Sequence, residues 1–219
     1  AFINAYNLID GIDGLAAITG ILIATVYSII FYFTGHPYYV LVGVSLVGVL
    51  TAFLRFNFSR GRRKIFMGDS GSLVVGLILA FLSIKILVME PYSVLVEEGY
   101  NPGNRLLLIA CVLFIPVFDT LRVMILRTLN GVSPFSADRN HAHHVLLDLG
   151  FNHAKASLGL ALLNILVITV YYSFCDVLSN LWLSFLVVSM YAGTFFAFSK
   201  LRNRSARRAR RHTTRHSMG

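Results

Sequence analysis

Four polar residues recur at every third position near the start of the chain. They are Asn4, Asn7, Asp10 and Asp13 of NAYNLIDGIDGLAA, and a long apolar run follows them. Asn and Asp cap helix starts, but a cap needs one such residue. At about 100° per residue, neighbours in the series share a helix face, while the whole series drifts halfway round. A straight helix therefore cannot aim all four at one point; a break at Gly11 or Gly14 could. The alternative to capping is a set of acceptors for a metal or a nucleotide.

Three further segments carry chemistry-bearing side chains. In KIFMGDSGSL, Asp69 lies between Gly68 and Ser70, just before another apolar run. It reads as the cap of that helix and as a ligand for Mg²⁺, which prefers hard oxygen donors and keeps several waters; the two readings are compatible. Helix-start amides there favour an anion. SPFSADRNHAHHVLLDLG holds His141, His143 and His144, with Arg139 close by. A zinc site, a clamp for phosphate or nucleotide using Arg139, and a solvated loop are its three readings; no Cys or acid spacing supports zinc. In PVFDTLRVMILR, Asp119 and Arg122 are three apart and could pair on a helix, with substrate contact as the alternative. Pro116 is expected to kink that helix.

The elements that must position these residues are membrane helices. The 219 residues are 56% hydrophobic and 13% charged, against about a quarter charged in soluble domains. An all-α polytopic integral membrane protein is predicted. Six runs approach the roughly 20 residues needed to cross a bilayer: about 15–34, 38–55, 71–89, 105–127, 157–175 and 180–199. Residues 1–199 form the membrane domain and 200–219 a basic tail expected to be disordered. The two cysteines, Cys111 and Cys175, give no disulfide or zinc framework.

Orientation follows from Lys and Arg. The links 56–70 and 128–156 and the tail are basic and fall on one side; Glu90, Glu97, Glu98 and Asp176 fall on the other. The basic side is expected to be cytoplasmic, and the polar segments lie on it. The tail then suits anionic lipid better than nucleic acid. No ionisable group falls at mid-span, where a transporter or channel would carry one.

NAYNLIDGIDGLA, FMGDSGSL and SPFSADRNHAHHVLL, in that order, resemble the polyprenyl-phosphate N-acetylhexosamine-1-phosphate transferase superfamily (glycosyltransferase 4 family). The His-Ala-His-His run looks like the bacterial branch that transfers GlcNAc-1-phosphate to undecaprenyl phosphate. The resemblance implies a reaction between a UDP-N-acetylhexosamine and undecaprenyl phosphate at the bacterial cytoplasmic (inner) membrane, releasing UMP. It implies Mg²⁺, or Mn²⁺, held by Asp69 and Asn7. It assigns catalytic roles to Asp10, Asp13, His141, His143 and His144, and substrate binding to Asn4, Asn7, Asn57, Ser72 and Arg139. A homodimer is compatible with it.

Family members have about ten spans and a paired-aspartate motif in an earlier cytoplasmic loop. Six spans are counted here and no Asp-Asp pair occurs. The expectation is a C-terminal part of the family fold, inactive alone. The link FNFSRGRRKIFMGD is longer and more basic than the family pattern, and Arg62, Arg63 and Lys64 are expected to attract the UDP-sugar by charge. A transporter, or a non-catalytic scaffold of the same fold, is the alternative.

Overall fold

The computed structural model describes residues 2–89, 104–134 and 141–216, with side chains as far as Asn203. In lipid a backbone must satisfy its own polar groups, so long apolar runs fold as helices. The described residues form α1 (Phe2–Leu8), α2 (Leu15–Phe33), α3 (Pro37–Asn57), α4 (Gly68–Val88), α5 (Arg105–Val112), α6 (Phe114–Leu129), α7 (Ala142–Asp148), α8 (His153–Phe174) and α9 (Asn180–His216). No strand occurs among them. The chain is an all-α, multi-pass membrane protein.

Five helices are long and apolar enough to cross a membrane, and α5 with α6 makes a sixth span bent by 80°. The six runs expected from the sequence match these elements. The fifth begins earlier than expected, at His153, because Asn152 caps it by accepting from the Lys155 N–H at 2.8 Å. Among the spans α2 is the most enclosed, with 61% of its apolar window buried against 17% for α3. It packs against α3, α4 and α8. Tyr27 and Phe31 on α2, Leu79 and Leu82 on α4, and Phe114 on α6 are fully buried in the core.

The bend in the fourth span falls at Leu113, and Pro116 lies in the first turn after it. Proline cannot donate to the preceding turn, and the freed polar groups need partners in an apolar surrounding. Asn164 of α8 supplies them. Its Oδ1 accepts from the Ile115 N–H at 3.1 Å, and its Nδ2 donates to the carbonyls of Cys111 and Val112, both at 3.3 Å.

The last helix continues from the sixth span to His216. It thus takes in the basic stretch whose composition suggests disorder. Arg, the commonest residue there, is a strong helix former.

Candidate active site

The opening motif is not one helix. α1 stops at Leu8; the Ile9 N–H returns to the Tyr6 carbonyl and the Asp10 N–H to that of Asn7. α2 restarts after Gly14, whose φ of 81° is left-handed and suits glycine alone without strain. No side chain caps α2, so the capping reading of this motif does not hold. The break separates the four polar residues. Asn4 is exposed on α1, Asn7 and Asp10 turn towards the start of α4, and Asp13 turns towards α8 and the link before α4.

Asp69 is not the cap of α4 either; it sits inside the first turn, one residue after Gly68. A negative charge there is favoured by the helix dipole. Asn7 Nδ2 donates to Asp69 Oδ1 at 3.2 Å and to Ser72 Oγ at 2.8 Å. Ser72 is fully buried and gives its own proton to the Gly68 carbonyl at 2.9 Å. It must therefore accept from Asn7, and this fixes which end of the Asn7 amide faces Asp69.

Asp10 completes this corner. Burial raises its carboxyl to about 6, the charges of Asp69 and Asp13 add to the rise, and a hydrogen bond from the Gly68 backbone opposes it. Clustered carboxylates of this kind suit a divalent cation, which would relieve their repulsion. Among the described residues no group of three or more His, Cys, Asp or Glu is arranged to hold a metal. That geometry gives the zinc reading of the histidines no support. Mg²⁺ commonly takes only one or two carboxylates and completes its shell with water and substrate phosphate. Asp69, with Asn7 beside it and Asp10 near, fits that mode.

Asp13 has a different environment. Its Oδ2 is 2.7 Å from Lys64 Nζ and 3.1 Å from His153 Nδ1. Its carbonyl accepts from Ser157 Oγ at 2.8 Å. Next to it, the Gly14 N–H donates to Asn57 Oδ1 at 2.6 Å, and Asn57 Nδ2 donates to the Ile65 carbonyl at 2.9 Å. Asp13 and Asn57 thus knit α2, α3, α8 and the basic link together. Both ends of the buried Asn57 amide are engaged inside the protein.

The histidines form a shelf on α7. Asp119 of α6 accepts from the Ala142 N–H at 2.6 Å, and its other oxygen is 2.8 Å from His141 Nδ1. Arg122, the partner considered from spacing, lies with its guanidinium over the Phe198 ring at 5.5 Å. His143 is 1% exposed, parallel to His141 at 5.7 Å, and 4.3 Å from the His144 ring. Burial above all pulls its pKa down to about 4; the Asp119 charge opposes the fall, and His144, His141 and His153 add to it. It is neutral at pH 7. The shelf meets the opening motif at Gly11, where any Cβ would come 2.4 Å from His143 Nε2. Arg139 and Asp138 lie outside the described residues.

Residues 1–87 match the protein family described as glycosyl transferase family 4. The chain belongs to that family. This glycosyl transferase family 4 chain is 37% identical to a decaprenyl-phosphate N-acetylglucosaminephosphotransferase of Mycobacterium tuberculosis, over 72% of this chain and 41% of the relative. It is 34% identical to an undecaprenyl-phosphate alpha-N-acetylglucosaminyl 1-phosphate transferase of Yersinia pestis, over 71% and 40%. The enzyme of that name from Escherichia coli is 30% identical over the same shares. The chain spans about two fifths of the length of the curated relatives it matches. No solved structure matches it significantly.

Two residues, one beside the polar corner and one at the bend of the fourth span, are not evident from the motifs. His153 lies at the start of a span, and only its place on the basic side connects it with the site. Asn164 reads as an ordinary mid-span amide until the bend is seen.

Proposed function

We propose that the protein carrying this chain transfers N-acetylglucosamine-1-phosphate from its UDP-sugar to a polyprenyl phosphate. An oxygen of the acceptor phosphate attacks the sugar-bearing phosphorus, the bond from that phosphorus to UMP breaks, and a lipid diphosphosugar forms. The observation that carries this reading is the meeting of Asn7, Asp10 and Asp69 at one corner, opposite a histidine shelf. The relatives' names supply the substrate class.

Bound there, Mg²⁺ (or Mn²⁺) would offset the repulsion between two phosphates and stabilise the leaving one. Asp69 and Asn7 would hold it. Asp10, at about 6, is matched to the second ionisation of a phosphate monoester, also about 6. Its carboxylate is suited to take the acceptor's last proton. His141, held by Asp119, the neutral His143, and His144 beside it would orient phosphate or sugar oxygens by hydrogen bonds. Asp13 positions the corner rather than reacting. The corner and the end of α9 face the cytoplasm of the bacterial inner membrane by the placement of Lys and Arg, and the basic end of α9 meets anionic lipid.

The test is an assay of the complete polypeptide with undecaprenyl phosphate, Mg²⁺ and a panel of UDP-sugars, measuring UMP release. UDP-GlcNAc should be the best donor, and Asp69→Asn should lose more than a hundredfold in rate. Unchanged turnover in that variant would overturn the metal assignment.

A further inference from the structure

The link between α3 and α4 has a surface that the transfer reaction does not explain. Its residues 58–66, FSRGRRKIF, include no acid. Arg60, Arg62 and Arg63 are exposed around a short 3₁₀ turn, Gly61–Arg63. Phe66 is 72% exposed, and Ile65 and Phe58 about 40%. Both neighbours of the link are membrane spans, so it is too short to leave the bilayer surface.

Lys64 does not belong to this surface. It turns inward to Asp13, with its ammonium 5.0 Å from the Phe66 ring centre. The attraction of UDP-sugar expected of Lys64 is thus spent within the protein. The three arginines stand beside exposed apolar side chains at membrane height. A nucleotide would need a concave pocket, and none of these arginines is buried.

We infer that this link docks on the anionic phospholipids of its own leaflet, with Phe66 and Ile65 at the acyl boundary and Arg60, Arg62 and Arg63 on the headgroup phosphates. Phe and other apolar side chains set among basic ones enter the headgroup–acyl boundary, and each cation near an anionic surface adds to the attraction. The inference needs only the membrane fold and stands apart from the reaction proposed above. Through Lys64, the lipid contact borders the corner that holds Asp13.

The test uses the complete polypeptide. Trp182, with every other tryptophan of the complete polypeptide, is replaced by Phe, and the sole reporter is placed by Phe66→Trp. The protein is reconstituted into phosphatidylcholine vesicles with or without about a third phosphatidylglycerol, both carrying lipids brominated near the headgroup end of the chain. Quenching should be about twofold stronger with phosphatidylglycerol. Combined Arg60→Gln, Arg62→Gln and Arg63→Gln should reduce it to the phosphatidylcholine level. Absent quenching, or quenching indifferent to lipid charge, would overturn the inference. So would suppression of the signal by UDP, which would make the link a nucleotide surface. If Phe66→Trp fails to fold, a nitroxide on Ile65→Cys, with Cys175 and every other accessible cysteine of the complete polypeptide replaced by Ser, reads the same depth and the same charge dependence.

Discussion

Asn7 and Asp69 are 62 residues apart in sequence, yet the Asn7 amide donates directly to the Asp69 carboxylate at 3.2 Å. The bond holds in place an acid that is itself exposed. Partners of this kind orient a metal ligand, and losing one typically costs about ten- to a hundredfold in metal affinity. Asn7→Ala should therefore need about tenfold more Mg²⁺ to raise the melting temperature. Asp69→Asn should abolish the Mg²⁺ effect. Equal Mg²⁺ stabilisation in wild type and Asn7→Ala would count against the assignment.

Asp10 and His143 give stability opposite pH slopes. Asp10 has a raised folded value, about 6 against 3.8. The folded state then holds its proton longer, so this contribution is fullest below about 4 and is lost as pH rises through 6. His143 has a lowered folded value, about 4 against 6.5. Its contribution is full above 6.5 and is lost as pH falls towards 4. Melting temperatures between pH 4 and 7 should show Asp10→Asn steepening the acid loss and His143→Gln flattening it. The same slope in all three proteins would refute both environments.

Gly11 is required for room rather than for backbone angle. A Cβ there would meet the His143 ring, and overpacking of this kind costs about 1–3 kcal/mol. Gly11→Ala should lower stability by about that amount and slow UMP release. Adding His143→Ala should restore the stability but not the rate. If Gly11→Ala melts like wild type, the two segments are not in contact.

Asn164→Leu removes the partners of one buried N–H and two carbonyls at the bend. Each unsatisfied buried group costs about 1–3 kcal/mol. The variant should melt well below wild type in detergent, while Thr169→Val on the exposed side of the same helix should not. Equal melting of Asn164→Leu and wild type would remove the clamp from the description.

Much of this molecule is legible in the sequence. Apolar run length fixes where helices form, because lipid leaves the backbone no other choice, and the six runs match the spans within a few residues. The glycines of the opening motif signal a break, and one is found between Leu8 and Leu15. Which acid does what was not legible. Asp10 and Asp13 look equivalent as a repeat, but once the helix stops Asp10 meets the Gly68 backbone while Asp13 meets Lys64 and His153. Nor could spacing alone choose His141 over Arg122 as the partner of Asp119, since the choice depends on a segment folding back across 22 residues. The position of the bend was only partly visible: Pro116 announces it, and Asn164 on another helix completes it.

The bend also has a mechanical meaning. Asp119, which carries the histidine shelf, lies six residues beyond Leu113, about 9 Å along the helix at 1.5 Å per residue. A change of 10° at the bend would swing Asp119 by about 1.6 Å, and displacements of that size at reacting groups cost about a hundredfold in rate. Asn164, in the middle of α8, thus sets the gap between the shelf and the acidic corner from a distance. Any change in bilayer thickness that strains that angle would be felt first as a change in the gap.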